Sequence, residues 1–318
     1  MAPSILTAEE IKKYNPRPAT NIVKLSSNEN PYGPSERVRN AIKDSFGDAC
    51  RYPYEYILEL QKSLAKKHNV SPESIVITGG SNEVLRVTGL AVADDGGEIV
   101  AGQPTYLALM SYAEAWGGKI KWVPVDSNKG YDLGKIEEAI DAKTKMVFIA
   151  NPNNPTGTLL EKSSLSDFCE RASEKTIVFC DEAYYDYIEE PEYPSMDYLV
   201  REGKNVIVSR TFSKVYGMAG LRIGYLVLKP DLADKLFGEY SPYGRNKIMA
   251  QTNVLAVAAA LEALKDKDFY SFSLKKASQE KDKIYKLLDH LDLKYVKSST
   301  NFVFFESQKH IDDLSKEM

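Results

Sequence analysis

The side chains best suited to chemistry are concentrated in one polar loop, within the stretch RTFSKVYGMAGLR. Thr211 and Ser213 offer hydroxyl groups, and Arg222 offers a planar guanidinium that suits a phosphate. Lys214 lies beside them, and burial with neighbouring cations lowers the pKa of such an amine and frees it for attack on a carbonyl carbon. The loop predicts an anion site next to a reactive amine, although a surface loop is the ordinary alternative. Arg210 has no part in this site, and we interpret it as a surface residue.

A pair of carboxylates follows another apolar run, in TIVFCDEAYYD. Asp181 and Glu182 stand where this run ends, and a carboxylate buried there is costly unless it is paired. A protonated heterocyclic nitrogen would be a suitable partner, and so would a nearby basic side chain or a helix N-terminus. Tyr184 is close enough along the chain to contact the same ligand.

Three further segments place polar groups after apolar runs. In VITGGSNEVL a glycine pair precedes a helical pattern, so Ser81 and Asn82 could bind a phosphate at the helix start, or simply form a turn and a cap. Tyr106, in AGQPTY, could stack on a planar ring or pack as an ordinary aromatic residue. Asn154, in NPNNPTG, offers an amide in a loop that prolines stiffen.

Taken together, these groups match the needs of one cofactor. Pyridoxal 5′-phosphate binds proteins through a Schiff-base lysine and an aspartate at its pyridinium nitrogen, and it also carries a phosphate and a planar ring. None of the residues is specific by itself. The combination predicts a pyridoxal-phosphate site.

The middle of the chain alternates short runs rich in valine and isoleucine with helical patterns, which predicts an α/β fold. We expect a three-layer α/β/α large domain with a mostly parallel seven-stranded sheet, because strands buried on both faces read as continuous apolar runs. Ligands bind beyond the carboxyl ends of such strands, where the polar residues above fall. The predicted strands are Ile75–Thr78, Glu98–Ala101, Ile120–Val125, Met146–Ala150, Ile177–Cys180, Val206–Ser209 and Leu221–Leu228.

The pattern changes near Met249. Helices predicted over Ala250–Leu264 and Tyr270–Leu291 precede a strand–turn–strand pattern in LKYVKSSTNFVFFE, which indicates a smaller α+β domain. We therefore divide the chain into an N-terminal segment of residues 1–30 associated with the small domain, a large domain of residues 31–248, and a small domain of residues 249–318. The last of these looks incomplete at its carboxyl end.

Composition argues against several classes of protein. The chain has 41 basic and 45 acidic residues, a net charge of −4, so no cationic surplus points to nucleic acid or an anionic membrane. No apolar run approaches the ~20 residues of a spanning helix, and Met1–Glu10 lacks the pattern of a signal peptide. Three cysteines without CxxC spacing favour a reducing compartment, so we expect a cytoplasmic protein.

The three histidines are widely separated along the chain. This spacing argues against a histidine-rich zinc site and against a Ser-His-Asp triad. We expect surface positions for His68, His290 and His310.

Five ordered motifs carry a resemblance to a known family: SSNENPYGPS, RYP, NPNNPTG, DEAYYD and SRTFSKVYGMAGLRIGY. They resemble the fold-type I, class I and II aminotransferases, most closely the histidinol-phosphate aminotransferase branch, over a span from about Lys24 to Phe305. The resemblance implies pyridoxal 5′-phosphate as cofactor. It also implies ping-pong transfer of an amino group from a small amine, such as histidinol phosphate, to a 2-oxo acid, commonly 2-oxoglutarate.

The resemblance further implies a role for each matching residue. Lys214 would hold the cofactor as a Schiff base and later move a proton between the substrate Cα and the cofactor C4′. Asp181 would pair with the pyridinium nitrogen and keep it protonated. Asn154 and Tyr184 would donate hydrogen bonds to the ring oxygen O3′, and Tyr184 would count with Lys214 and Asp181 as a catalytic residue. Tyr106 would stack on the ring. Tyr106 and Asn154 would also contact the substrate.

The same resemblance implies a phosphate site and a homodimer. Tyr52, in RYP, would reach the phosphate held by the neighbouring subunit, so the active site would be shared between two chains. Asn30, in NENP, would lie near the substrate entrance. The phosphate ligands within one chain would be Ser81, Asn82, Thr211, Ser213 and Arg222.

The chain departs from the family pattern at its carboxyl end. The family continues past the TNFVFF strand into a segment with an arginine that binds the acid group of the substrate, and nothing in Glu306–Met318 supplies that residue. We expect either a truncated chain or another way of holding the acid group.

Several alternatives to this function stay open. An aromatic amino acid aminotransferase, or a decarboxylase or C–S lyase of the same fold, would share the cofactor site. A non-catalytic pyridoxal-phosphate sensor and a purely structural α/β protein have less support. The sensor would need a DNA-binding extension, and neither end of the chain shows a basic helix-turn-helix pattern.

Overall fold

The computed structural model describes residues 24–93, 96–238 and 252–307. Several predictions fall on other residues and lie outside the described residues. They concern most of the N-terminal segment, Ala250, His310 and nearly all of the C-terminal stretch that begins at Glu306.

A seven-stranded sheet forms the centre of the described chain. Its strands lie in the order β1–β7–β6–β5–β4–β2–β3. All neighbouring pairs are parallel except those of β7, which runs antiparallel to both β1 and β6. The predicted α/β class with a mostly parallel seven-stranded sheet is confirmed. The strands are β1 (Ile75–Thr78), β2 (Glu98–Gln103), β3 (Lys119–Pro124), β4 (Thr144–Ala150), β5 (Ile177–Asp181), β6 (Val206–Thr211) and β7 (Gly224–Leu228).

The seventh strand begins later than its apolar pattern indicates. Residues Ala219–Leu221 form a short 3-10 turn, and Arg222 then adopts a left-handed backbone conformation with φ 58°. A strand cannot pass through that conformation, so pairing with β6 starts only at Gly224. The Nη1 group of Arg222 donates to the carbonyl of Ala219 in this turn at 2.8 Å.

Helices cover the sheet and connect its strands. Two of them begin at the polar residue that the sequence places there: Ser35 accepts from the N–H of Val38, and Asp132 accepts from the N–H of Lys135. The helices before and between the strands are α1 (Glu36–Asp44), α2 (Tyr54–His68), α3 (Ser81–Ala93), α4 (Ala108–Ala115), α5 (Leu133–Glu138), α6 (Lys162–Lys175), α7 (Asp197–Arg201) and α8 (Pro230–Phe237).

Two separate apolar cores lie on the two faces of the sheet. In β4, Val147 and Ile149 belong to the core that includes Phe168 of α6. Phe148, between them, belongs to the other core, with Leu85 of α3. Successive side chains of a strand point to opposite faces, so this alternation is the three-layer arrangement predicted from the sequence. Each fully buried side chain of this size contributes roughly 2 kcal/mol.

Two helices and a small hairpin follow the large sheet. The helices are α9 (Val254–Lys265) and α10 (Lys267–His290), and Asp266 caps the second by accepting from the N–H of Phe269. Strands β8 (Tyr295–Val296) and β9 (Phe304–Phe305) then pair antiparallel. The predicted order of helix, helix and hairpin is confirmed, while the domain boundaries stay predictions. Among the described helices, none is long and apolar enough to cross a membrane.

His68 corrects one prediction. Its side chain is buried, not on the surface. Nδ1 lies 2.6 Å from the carboxylate of Asp197, and Nε2 lies 3.0 Å from the hydroxyl of Tyr225. Both partners are more than a hundred positions away along the chain, so the local sequence could not show that the imidazole would be hydrogen-bonded within the fold. His290 is exposed, as expected.

Candidate active site

A cavity of about 540 Å³ opens at the carboxyl ends of the central parallel strands. Its position agrees with the rule that ligands bind beyond these ends in α/β sheets. Residues 26–29 form part of its wall, although they precede the first described helix. The structure brings most of the predicted site residues to this cavity: Ser81, Asn82, Tyr106, Asn154, Asp181, Tyr184, Ser213, Lys214 and Arg222.

Asp181, the last residue of β5, faces this cavity while being only 5% exposed. Within the described residues, its carboxylate receives one hydrogen bond, from the N–H of Ala183 at 3.2 Å, and forms no ion pair. Burial is the main reason that its pKa rises to about 6, and the nearby carboxylate of Glu182 adds to the effect. A buried carboxylate without a cation favours a ligand that carries a positive N–H group.

Lys214 lines the same cavity as Asp181. Its Nζ donates to the main-chain carbonyl oxygens of Ser27 at 3.0 Å and Asn28 at 3.3 Å. Burial lowers the pKa of this ammonium to about 8, although the carboxylates of Glu29 and Asp181 oppose the shift. A lysine with such a pKa supplies neutral amine near physiological pH, which is the form that attacks a carbonyl carbon.

A candidate phosphate site, which we call the phosphate cradle, lies where the turn that precedes β7 meets the start of α3. Gly80 has φ 92°, and a Cβ built there would lie 2.8 Å from Cζ of Arg222, so only glycine lets the guanidinium approach the helix start. Ser213 lines the same end of the cavity, and its N–H donates to Oγ1 of Thr211 at 3.1 Å. Free N–H groups at a helix start and a guanidinium together suit a phosphate.

Two tyrosines frame the remaining space. The hydroxyl of Tyr106 donates to Oδ1 of Asn82 at 2.8 Å, which fixes its ring beside the helix start. The hydroxyl of Tyr184 accepts from Nδ2 of Asn28 at 3.2 Å. Nζ of Lys214 lies 5.2 Å from the centre of the Tyr184 ring. Both tyrosines therefore present aromatic surface to the cavity, close to the amine of Lys214.

Asn154 takes its position from its neighbour Asn153. The Asn153 side chain is buried, and its Nδ2 donates to the carbonyl of Pro104 at 3.1 Å and to Oγ1 of Thr156 at 2.9 Å. Its Oδ1 accepts from the hydroxyl of Tyr131 at 2.7 Å. These bonds fix the NPNNPTG loop, so the next residue presents its amide to the cavity.

Three predicted residues do not line this cavity. Thr211 is buried behind Ser213 and donates to its hydroxyl at 3.0 Å, so its contribution is to orient Ser213. Asn30 uses its Nδ2 to bind the carbonyl of Val215 and the hydroxyl of Ser273, both at 2.9 Å. Tyr52 is 68% exposed and borders a different cavity, with Arg51. Tyr52 therefore has no contact with this cavity within the described chain.

Arg210 corrects the surface interpretation. Its side chain is only 5% exposed, and its Nη2 lies 2.7 Å from Oε2 of Glu182, which is equally buried. Its guanidinium also lies over the ring of Tyr185, with Cζ 3.8 Å from the ring centre. The pairing could not be inferred locally, because β5 and β6 become neighbours only in the sheet.

Sequence reasoning also missed two residues that shape the site. Glu83, in the first turn of α3, accepts a hydrogen bond from the N–H of Gly79 at 2.6 Å and so caps the N-terminus of this helix. A glutamate early in a helix after GGS is a recognisable capping signal. Asn28 contacts both Tyr184 and Lys214, and no local signal indicates this.

The residues present fit pyridoxal 5′-phosphate. The cofactor has a ring nitrogen that can be protonated, which is the partner that Asp181 lacks, and an aldehyde that an amine such as Lys214 can bind. Its phosphate suits the cradle formed by Ser81, Ser213 and Arg222. The described residues contain no group of three acidic, histidine or cysteine side chains placed to hold a metal ion. Fold and site together define an enzyme that depends on this cofactor.

Comparisons with known proteins agree with this assignment. The chain belongs to the aminotransferase class I and II family, whose model matches residues 20–318, and it is a pyridoxal-phosphate-dependent aminotransferase. It is 36% identical over 299 residues to a histidinol-phosphate aminotransferase of Moorella thermoacetica, a match that covers 94% of this chain and 75% of the relative.

Two further similarities support the family. A histidinol-phosphate aminotransferase of Caldicellulosiruptor saccharolyticus is 34% identical over 297 residues, which cover 93% of this chain and 81% of the relative. The crystal structure of a histidinol-phosphate aminotransferase from Sinorhizobium meliloti in complex with pyridoxal-5′-phosphate superposes with a TM-score of 0.81. That match has 27% identity and covers 97% of this chain and 81% of the other.

Proposed function

We propose that this enzyme transfers the amino group of L-histidinol phosphate to 2-oxoglutarate. The observation that carries the choice of donor is the similarity of 33% to 36% to relatives bearing that name. The arrangement of Lys214 and Asp181 at one cavity supports transamination chemistry. The mixed polar and aromatic wall of the cavity is compatible with a small, polar amine.

Asp181 and Lys214 have different roles in the proposed reaction. When bound, pyridoxal 5′-phosphate supplies a ring that withdraws electrons from the substrate Cα. Asp181 holds a proton on the ring nitrogen, because a carboxylate in this buried position favours a positive partner. The neutral amine of Lys214 removes the proton from the substrate Cα and delivers it to C4′. A pKa of about 8 suits both steps near neutral pH.

The other cavity residues bind and orient. Tyr184 and Asn154 would direct hydrogen bonds to the ring oxygen of the cofactor, and Tyr106 would pack against its ring face. Ser81, Asn82, Ser213 and Arg222, which line the cavity, would hold the phosphate, and Thr211 orients Ser213. Each acts before the proton moves, so its loss should weaken binding more than it alters the chemistry.

A homodimer with a shared active site is part of the proposal. Tyr52 and Phe46 are 68% and 67% exposed, and exposed aromatic residues of this kind are enriched at protein–protein interfaces. Tyr52 stacks on Tyr54, with ring centres 5.7 Å apart, so its side chain already has a defined direction. Asn30 anchors the segment that forms the cavity wall.

The chain is also proposed to work in the cytoplasm. Its three cysteines are free, and Sγ of Cys169 lies 3.9 Å from Sγ of Cys180 without a bond between them. Free thiols at this distance agree with a reducing compartment.

A donor screen tests the substrate. Purified enzyme with pyridoxal 5′-phosphate is incubated with 2-oxoglutarate and one donor at a time: histidinol phosphate, histidine, phenylalanine or tyrosine. We expect histidinol phosphate to give the highest kcat/KM and one glutamate for each donor consumed. A higher kcat/KM for phenylalanine or tyrosine would mean that the enzyme is an aromatic amino acid aminotransferase instead. Release of CO₂, or of pyruvate with ammonia, would contradict transamination.

A further inference from the structure

We propose that Arg210 is a positioning residue for the cofactor: by neutralising Glu182, it keeps the adjacent Asp181 ionised to receive the ring nitrogen. The inference rests on the proposed role of Asp181. It assigns a function to a buried ion pair that does not touch the cavity where the reaction takes place.

The sheet register places this pair directly behind Asp181. Asp181 pairs with Ser209 across β5 and β6, and the N–H of Glu182 continues the ladder to the carbonyl of Ser209 at 3.0 Å. Because side chains alternate between faces, Asp181 points to the active-site cavity. Glu182 and Arg210 point to the opposite face, where Arg210 borders a second cavity.

The pair is built to hold an ionised glutamate. Oε2 of Glu182 receives Nη2 of Arg210 at 2.7 Å and the hydroxyl of Ser195 at 2.8 Å. Oε1 receives the N–H of Met196 at 2.8 Å. Arg210 is the cation nearest to this carboxylate among the described residues, and its own Nε has no partner there. Its charge is therefore directed at Glu182, with Asp186 a weaker contact at 4.0 Å.

Charge at Glu182 acts on Asp181 because both are buried and adjacent. The carboxylate of Glu182 raises the pKa of Asp181, and the ammonium of Lys214 lowers it. The tyrosines near Asp181, which are Tyr106, Tyr131 and Tyr184, carry no charge in this pH range because burial raises their pKa values.

The groups around Glu182 itself leave Arg210 as its main counter-charge. Burial raises the pKa of Glu182 and the carboxylate of Asp197 adds to the effect, while Arg210 is the strongest of the groups that oppose it. Asp197 is itself occupied by His68 and Arg201. The other titratable groups that interact with Arg210 are Asp186, Lys67, His68 and four tyrosines, Tyr185, Tyr216, Tyr225 and Tyr270. The tyrosines are neutral because burial raises their pKa values. Removing Arg210 therefore leaves Glu182, wherever it stays ionised, as an uncompensated negative charge beside Asp181.

The test measures the affinity of this chain for pyridoxal 5′-phosphate from pH 5 to 9. The proteins compared are the wild type, Arg210→Met, Arg210→Lys and the double variant Arg210→Met/Glu182→Gln. In the wild type, affinity should fall below about pH 6, where Asp181 takes up a proton before binding. We call the pH at which affinity begins to fall the break. In Arg210→Met we expect the break to move up by about one pH unit, so that cofactor affinity at low pH is about tenfold weaker than in the wild type. The phosphate of the ligand titrates in every variant and cancels in the comparison.

The other variants separate charge from packing. Arg210→Lys keeps the charge and should keep the break near pH 6, and the double variant removes both charges and should restore it. A uniform loss of affinity at every pH in Arg210→Met, with the break unmoved, would show a purely structural role and overturn the proposal.

A single variant keeps the proposal testable if Arg210→Met does not fold. Glu182→Gln retains the hydrogen-bonding shape but leaves Arg210 positive, so the break should move to lower pH, opposite to Arg210→Met. The ¹⁵N chemical shift of labelled cofactor then reports whether its ring nitrogen stays protonated to the same pH. If Glu182→Gln leaves the break unmoved, Glu182 does not control Asp181. If Asp181→Asn also leaves cofactor affinity unchanged, the proposed role of Asp181 is wrong, and the inference about Arg210 has no basis.

Discussion

Nζ of Lys214 donates a hydrogen bond to the main-chain carbonyl of Ser27, 187 positions earlier, at 3.0 Å. Asn28, the next residue, presents its own carbonyl to the same ammonium at 3.3 Å and its amide to the hydroxyl of Tyr184 at 3.2 Å. Nδ2 of Asn301 donates to that Asn28 carbonyl at 3.0 Å, which ties the segment to the turn before β9. The stretch of residues 26–29 is thus a wall of the active site and a link to the C-terminal elements.

Replacement of Lys214 by alanine should abolish covalent attachment of the cofactor. Wild-type protein incubated with pyridoxal 5′-phosphate should gain an absorbance band in the near-ultraviolet to blue, and after borohydride reduction its mass should rise by one cofactor. Lys214→Ala should show no added mass, and its activity should fall by roughly 10³-fold or more, because both the attachment point and the base are lost.

Lys175→Ala is the matched control for that experiment. Lys175 is an exposed lysine on α6, and its ammonium pairs with Glu137 far from the cavity. This variant should label and turn over as the wild type does. Labelling of Lys214→Ala at another lysine, with activity retained, would contradict the assignment.

The rate of cofactor capture should rise with pH. With a pKa of about 8, about a tenth of Lys214 is neutral at pH 7 and about nine tenths at pH 9. Since only the neutral amine attacks, the second-order rate constant should increase roughly tenfold over this range and then level off. Stopped-flow absorbance after mixing cofactor-free protein with pyridoxal 5′-phosphate measures it.

Glu29→Gln provides a directional check on this titration. The carboxylate of Glu29 raises the pKa of Lys214, so its removal should move the rise in rate to lower pH. A rate independent of pH, or a shift to higher pH in Glu29→Gln, would argue against the proposed environment of the amine.

The sequence predicted those features of the site that depend on residues close together in the chain. Lys214, Ser213 and Arg222 share one loop, and Asp181 and Tyr184 share one strand end, so motifs fix their proximity. The sequence did not predict contacts between residues that are far apart in the chain and become neighbours only in the folded protein. The burial of Arg210 depends on Glu182 in the neighbouring strand, and that of His68 depends on Asp197 and Tyr225. The apolar strand runs predicted the sheet well because burial on both faces leaves a continuous signal.

The Asp181→Asn variant should bind the cofactor more weakly but be more stable to unfolding. A raised carboxyl pKa means that stability is complete below the ordinary value of 3.8 and is lost as pH rises through about 6. Without cofactor, the asparagine variant should therefore unfold at higher urea concentration than the wild type at pH 8, by up to about 3 kcal/mol, and the gain should shrink towards pH 5. The affinity of this variant for pyridoxal 5′-phosphate should be about 100-fold weaker than that of the wild type, because the buried partner of the ring nitrogen is gone.

Equilibrium urea unfolding at pH 5 and pH 8, with and without pyridoxal 5′-phosphate, measures both effects. Equal stability of the two proteins at pH 8 would mean that the carboxylate already has a compensating partner. Undiminished affinity would mean that the ring nitrogen binds elsewhere.

Gly80→Ala should damage the phosphate cradle. A methyl group at Gly80 would overlap the guanidinium of Arg222, and the residue has φ 92°. We expect cofactor affinity to fall about tenfold to 100-fold, because Arg222 must move away from the helix start. Gly203→Ala is the control: it has φ 76° and nothing within 4 Å of the added Cβ, so it should lose about 1 kcal/mol of stability with normal affinity. Equal affinity losses in the two variants would point to backbone strain alone.

Tyr52 should act across the subunit interface, and mixed dimers can test this. Tyr52→Ala and Lys214→Ala should each be poorly active as homodimers. When the two are co-expressed, a hybrid dimer contains one site with both defects and one site with neither, because Tyr52 of one chain serves the lysine of the other. Random pairing then predicts recovery of about a quarter of wild-type activity.

The opposite geometry gives a different result. If Tyr52 served its own chain, each site of the hybrid would lack one residue, and co-expression would recover nothing. Differently tagged chains allow the hybrid to be purified and its activity per dimer measured, while light scattering gives its mass. Absence of recovery in a confirmed hybrid, or an active monomer, would contradict the shared site. Recovery would show that the exposed phenol of Tyr52 completes a site that one chain cannot complete alone.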